Sequence, residues 1–175
     1  MKIITSIAMA MTLSMAVSVA QAQTTVVPTE KPFRVAVGVY NPVGGAIKSA
    51  MGSSIPMISF SYDAGKTTSE RPVIYGVYLD FAQNHRQGTN NSVTAFGVSG
   101  RYLSRAPVTS GRYFGGAGIG SYDVKLGSSN SKVGGKLFGG YEHNNGYFGE
   151  ITYHMINKIN GSDPSAVSFV VGRRF

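Results

Sequence analysis

The chain has 175 residues, 42% of them apolar and 14% charged, with 23 glycines, ten tyrosines, nine phenylalanines, no cysteine and no tryptophan. That length fits one domain. The charged fraction lies well below the roughly 25% usual in soluble domains, and glycine is near twice its ordinary share of about 7%, which argues against a helical cytosolic enzyme. The aromatic content argues against disorder, and the lack of cysteine excludes a disulfide scaffold, a thiolate metal cluster and a cysteine nucleophile.

Residues 1–22 open with Lys2, continue through Ile3, Ile4, Ile7, Leu13, Val17 and Val19 without further charge, and close on Ala20-Gln21-Ala22. A positive start, an apolar middle and an Ala-x-Ala exit predict a secretory signal peptide cleaved after Ala22 rather than a retained anchor. Residues 23–32 carry two prolines and no period, and are expected to form a short N-terminal leader. The formal net charge is +8. Its Lys and Arg residues are scattered singly, with no basic stripe or recognition helix, so the excess speaks for solvated positions or anionic lipid head groups rather than nucleic acid.

From Phe33 onward the hydrophobic pattern has period two, interrupted every ten or so residues by turn formers, and no apolar run has helical spacing. Eight strands are predicted, at 33–40, 56–63, 72–82, 92–102, 112–122, 132–142, 147–155 and 165–175. Most are longer than the 5 to 6 residues usual in globular sheets and match the about 9 to 11 that cross a bilayer at a tilt. Along the third strand Val73, Tyr75, Val77, Leu79 and Phe81 share one face, against Ile74, Gly76, Tyr78, Asp80 and Ala82 on the other. The strands at 92–102, 132–142 and 147–155 likewise have one greasy face and one face of small or charged residues. The glycine-rich 112–122 strand leaves its facing open. Alternation by itself fits a soluble sandwich or lipocalin, greasy side inward, as well as a membrane barrel, greasy side outward.

The level of the aromatics separates these. With the first strand starting on the periplasmic side, Phe33, Tyr62, Tyr75, Tyr102, Tyr113, Tyr141, Tyr147 and Phe175 fall at one height on the greasy face. Such a belt belongs at the boundary between lipid tails and head groups. The chain stops at Phe175, with Val171, Phe169 and Val167 on the same face. This terminus resembles the assembly signal of Gram-negative outer-membrane barrels, read by the outer-membrane insertion machinery; Arg173 stands where that family usually has an apolar or aromatic residue. Over residues 33–175 the chain resembles the small eight-stranded outer-membrane barrels of the OmpX/OmpA-barrel type. The resemblance implies an all-β, antiparallel, up-and-down transmembrane barrel. Its periplasmic turns are expected near 64–71, 103–111 and 143–146, and its external loops near 41–55, 83–91, 123–131 and 156–164.

Eight strands enclose an interior that side chains fill, which leaves no wide aqueous pore. The alternation points Arg34, Asp80, Arg101, Lys136, Glu142, Glu150, His154 and Arg174 into it, where they are expected to pair across facing strands. A polar plug that fixes register is one role for such a network, a proton or ion relay another. Catalytic motifs are lacking: His85, His143 and His154 have no spaced partner, and Gly116-Ala117-Gly118-Ile119-Gly120 is not followed by a helix. His85 beside Asp80, Asn84 or Ser92 would be the residue set for a lipid A-modifying activity. No cofactor or metal is expected. The polar loops, with Lys48, His85, Arg86, Lys125, Lys132 and Lys158 against Asp123 and Asp163, are expected to lie against lipopolysaccharide phosphates. A non-enzymatic, monomeric surface or structural protein of the outer membrane is the function these features favour. A conduit for small apolar molecules and a soluble periplasmic lipocalin-like binder are the alternatives.

Overall fold

The computed structural model describes residues 31–64, 73–86, 88–104, 110–159 and 161–175. The expected signal peptide, most of the leader, and most of the turns expected near 64–71 and 103–111 lie outside the described residues. Eight strands follow in chain order: β1 (Phe33–Pro42), β2 (Ile55–Ala64), β3 (Val73–Arg86), β4 (Thr89–Leu103), β5 (Gly111–Leu126), β6 (Ser128–His143), β7 (Tyr147–Ile156) and β8 (Ala166–Arg174). Each pairs antiparallel with its sequence neighbours, and β1 pairs with β8 to close the barrel. At the seam the Phe33 N–H donates to the Phe175 carbonyl at 3.2 Å, and the Phe175 N–H donates back at 2.8 Å. Both ends of the barrel segment therefore sit on one rim.

The greasy faces point outward. Tyr75 is 47% exposed and Leu79 40%, whereas Tyr78 and Asp80 between them are 2% and 4% exposed. A lipocalin-like arrangement, with Val73, Tyr75, Val77 and Leu79 inside, is not the one adopted. The facing of β5 is settled as well: Tyr113, Ala117 and Ile119 point out, while Phe114 and Tyr122 are buried.

The far end departs from expectation. The loops expected at 83–91 and 123–131 are largely strand, because β3–β4 and β5–β6 continue as hairpins to tight turns, the second at Gly127 with φ 77°. A positive φ there suits glycine, which has no Cβ to clash. β3 to β6 thus run 14 to 16 residues, while β1, β2, β7 and β8 have 9 or 10. One wall of the barrel rises above the other. The loop expected at 41–55 contains a helix, α1 (Gly45–Met51), too short for its spacing to stand out among glycines and serines.

Inward glycines make room for rings. A Cβ at Gly116 would press on Phe138, one at Gly134 would lie 2.8 Å from the Tyr122 ring, and one at Gly140 would lie 2.6 Å from the Phe114 ring. The glycine content of β5 and β6 is therefore a packing requirement, since large aromatics occupy a narrow lumen only where a neighbouring strand has no side chain. Gly140→Val should destabilise the barrel by about 1–3 kcal/mol through overpacking. Gly139→Ala, where the added carbon meets only ordinary contact, should leave stability near that of the parent. Urea unfolding of the refolded protein in micelles measures both.

Candidate functional site

The interior is built in tiers. Nearest the rim that carries the chain ends, Asp63 on β2 accepts from Arg101 on β4 and from Arg174 on β8, the latter at 2.5 Å. Arg174 also donates to Glu142 on β6 at 3.0 Å, and Arg112 on β5 reaches the same carboxylate at 3.2 Å. Arg34 on β1 pairs with Glu150 on β7 at 3.3 Å and lies 3.8 Å from the Phe148 ring centroid. One level up, Lys136 on β6 donates to Asp80 on β3 at 2.9 Å, and Ser59 on β2 donates to the same carboxylate at 2.5 Å. His154 on β7 stands between the Tyr122 hydroxyl, 3.3 Å away, and Ser168 Oγ, 3.0 Å away.

All eight residues expected inside therefore occupy the lumen side, and seven of them are ion-paired to one another or to Asp63. Asp63 is a lumen residue that the sequence analysis does not single out, although its place next to outward Tyr62 signals its facing. Arg112, the tyrosines Tyr40 and Tyr122, and the hydroxyls of Ser59 and Ser168 are likewise not singled out by the sequence, whereas Tyr78 lies on the inward face expected for it. The innermost cations Arg34, Arg101, Lys136 and Arg174 are matched by four carboxylates, Asp63, Asp80, Glu142 and Glu150. A cavity of about 20 Å³ among Arg34, Ser61, Tyr78, Ser99 and Arg101 has room for a single water molecule.

Above the charged tiers the lumen turns apolar and is covered. Ile47 and Met51 of α1 are buried with Ile55, Val124 and Ala166 across the far mouth. Carbonyls at the end of this helix accept from the taller wall: Asn84 Nδ2 reaches the Met51 carbonyl at 2.7 Å and Asn91 Nδ2 that of Ala50 at 3.2 Å, while the Lys48 carbonyl, which already accepts from the Gly52 N–H at 2.8 Å, also accepts from Arg86 Nη1 at 3.3 Å. On the opposite side the Tyr40 hydroxyl donates to the Pro164 carbonyl at 3.1 Å. These bonds hold α1 as a lid.

The expected belt residues lie on the outer face at the rim with the chain ends, where Phe33 stacks near Tyr62 at 5.1 Å and Tyr113 near Tyr141 at 5.3 Å between centroids. Val167, Phe169, Val171 and Phe175 share that outer face on and just beyond β8. The residue set considered for lipid A chemistry is not assembled: His85 is exposed and 2.7 Å from Asn90 Oδ1, Asn84 is committed to the helix, and Asp80 lies inside on Lys136. Of the lysines counted with the loops, Lys125 sits on β5 and Lys132 at its expected strand start on β6, opposite Tyr122. Among the described residues no group of acids and histidines has the geometry of a metal site.

Truncating one member of the Lys136–Asp80 pair leaves a buried charge alone, which costs about 3–5 kcal/mol, whereas replacing both by apolar residues of similar size is often near neutral. Asp80→Leu should accordingly lower stability by several kcal/mol, and Asp80→Leu combined with Lys136→Met should recover most of the loss in the same unfolding assay.

No protein-family model matches the chain, and no curated protein matches it by sequence. Solved structures do. Neisserial surface protein A superposes with a TM-score of 0.55 at 16% identity, over 82% of this chain and 96% of that one. The N-terminal β-barrel domain of Pseudomonas aeruginosa OprF gives 0.48 at 12%, over 81% and 97%. The Yersinia pestis outer membrane protein Ail gives 0.48 at 12%, over 83% and 100%. Together with the closed meander of eight strands, the first of these likenesses establishes that the chain has the fold of the small eight-stranded outer-membrane β-barrels.

Proposed function

We propose that the protein is a non-enzymatic, monomeric β-barrel of the Gram-negative outer membrane, with its chain ends toward the periplasm, and that its external hairpins make its specific contacts. The observation that carries this is the division of the barrel: an apolar, aromatic-belted outside around an interior filled by compensated charge and closed by α1. A conduit for small apolar molecules would need a dry slot, and the lumen holds ion pairs instead. What remains for recognition is the far end, where the β3–β4 and β5–β6 hairpins rise and the cations outnumber the acids. The neisserial protein of this fold is, by its name, a surface protein. Export by a cleaved signal peptide and insertion through Val167, Phe169, Val171 and Phe175 belong to the same proposal.

The polarity is tested with single cysteines, which the cysteine-free chain allows. In cells, a bilayer-confined thiol reagent should label Val77→Cys and spare Tyr78→Cys; the reverse pattern overturns the membrane reading. The external contact is tested on lipopolysaccharide, whose phosphates suit the basic rim. Lys125→Gln with Lys132→Gln should weaken its association at low salt by about 1 kcal/mol per lysine. Unchanged co-purification would reject that partner.

A further inference from the structure

Arg173 is the one formally charged side chain, among the described residues, at an outward strand position outside the far hairpins. It is exposed, with its guanidinium carbon 5.2 Å from the Tyr147 ring centroid and 5.6 Å from that of Phe175, and no carboxylate among the described residues pairs with it. Every arginine inside the barrel has an acid partner; this one faces the lipid boundary with none. Beside it the outer surface is hollowed into a groove of about 720 Å³, lined by Val35, Val37, Tyr141, Tyr147, Val171 and Phe175. The floor is opened by Gly149, where an added Cβ would meet nothing within 4 Å, so packing within the chain does not require glycine there. His143 stands at the rim of the same groove. Its Nδ1 accepts from the Asn145 N–H at 3.2 Å, which places the proton of the neutral ring on Nε2, directed away from the turn and able to donate.

We propose that this groove is a binding site for one anionic phospholipid of the periplasmic leaflet, with an acyl chain over Gly149 and the phosphate on Arg173, assisted by His143. The inference rests on the outer-membrane placement proposed above. An unpaired guanidinium at head-group depth is stabilised by a charge-assisted bond to phosphate. The nearby net positive charge disfavours a head group that brings its own ammonium, which selects the phosphatidylglycerol class over zwitterionic lipid. Lipopolysaccharide is not the occupant, because in this orientation it lies at the opposite end of the barrel.

The full-length exported protein, refolded into nanodiscs containing phosphatidylglycerol and phosphatidylcholine in equal amounts, is released into native mass spectrometry and its retained lipids are counted. The parent should keep one phosphatidylglycerol in preference to phosphatidylcholine by about tenfold, the effect of one charge-assisted contact. Arg173→Gln should bring the ratio close to one, Arg173→Lys should keep part of the preference, and Gly149→Leu should reduce retention of both lipids by filling the groove. Lys125→Gln should change nothing. A parent without preference, a preference that survives Arg173→Gln, or a retained second copy of the chain in place of lipid overturns the site. Migration on an unheated denaturing gel separates the two proposals: a compact, heat-modifiable barrel that shows no lipid preference defeats the site alone, whereas failure to enter the bilayer defeats the membrane placement and the site with it.

Discussion

The structure depends on charge compensation across the lumen. Backbone hydrogen bonds tie each strand only to its neighbours, but all the interior ion pairs except Arg112–Glu142 skip strands: β1 to β7, β2 to β4, β2 to β8, β3 to β6 and β6 to β8. Because the side-chain period is two, sliding any strand by one residue would carry its member of the network to the apolar outer face and leave its partner alone inside. An unpaired buried charge is costly, so the network specifies register as well as filling space. It also uses four of the eight acidic residues of the chain.

Rings and glycines complete the filling. Tyr78, Phe114, Tyr122, Phe138 and Phe148 project into a lumen too narrow for side chains at every inward position, and glycines on the next strand take up the difference. Among the described residues, α1 is laid over the mouth and side chains fill the interior beneath it. The taller wall, four strands of 14 to 16 residues, raises the hairpins above the barrel on one flank.

The barrel was legible in the sequence because alternation is local: Leu79 and Asp80 must face opposite ways whatever the rest of the chain does. Strand number and closure follow from the same signal and from strand length. What could not be read is whatever depends on distant partners. No local pattern tells that Asp63 meets Arg101 and Arg174, which come from strands far along the chain, and the facing of β5 was hidden by glycines that have no side chain to alternate. The far hairpins read as loops because Gln83–Arg86 and Ser128–Ser131 are polar on both faces, as strands beyond an apolar environment can be. Likewise α1 is too short for helical periodicity, and its position is fixed by distant Asn84, Arg86 and Asn91 together with the burial of its own Ile47 and Met51.

The seam between β1 and β8 has a kinetic consequence. It joins the first strand of the barrel to the last, and the Arg34–Glu150 and Arg174–Asp63 ties span 116 and 111 positions of the chain. Contacts of such high contact order come late, after the entropy of closing the longest loop has been met. Until the final strand docks, Asp63 lacks Arg174 and Arg34 has no closed wall around it. Sealing the seam and neutralising the lumen are thus coupled.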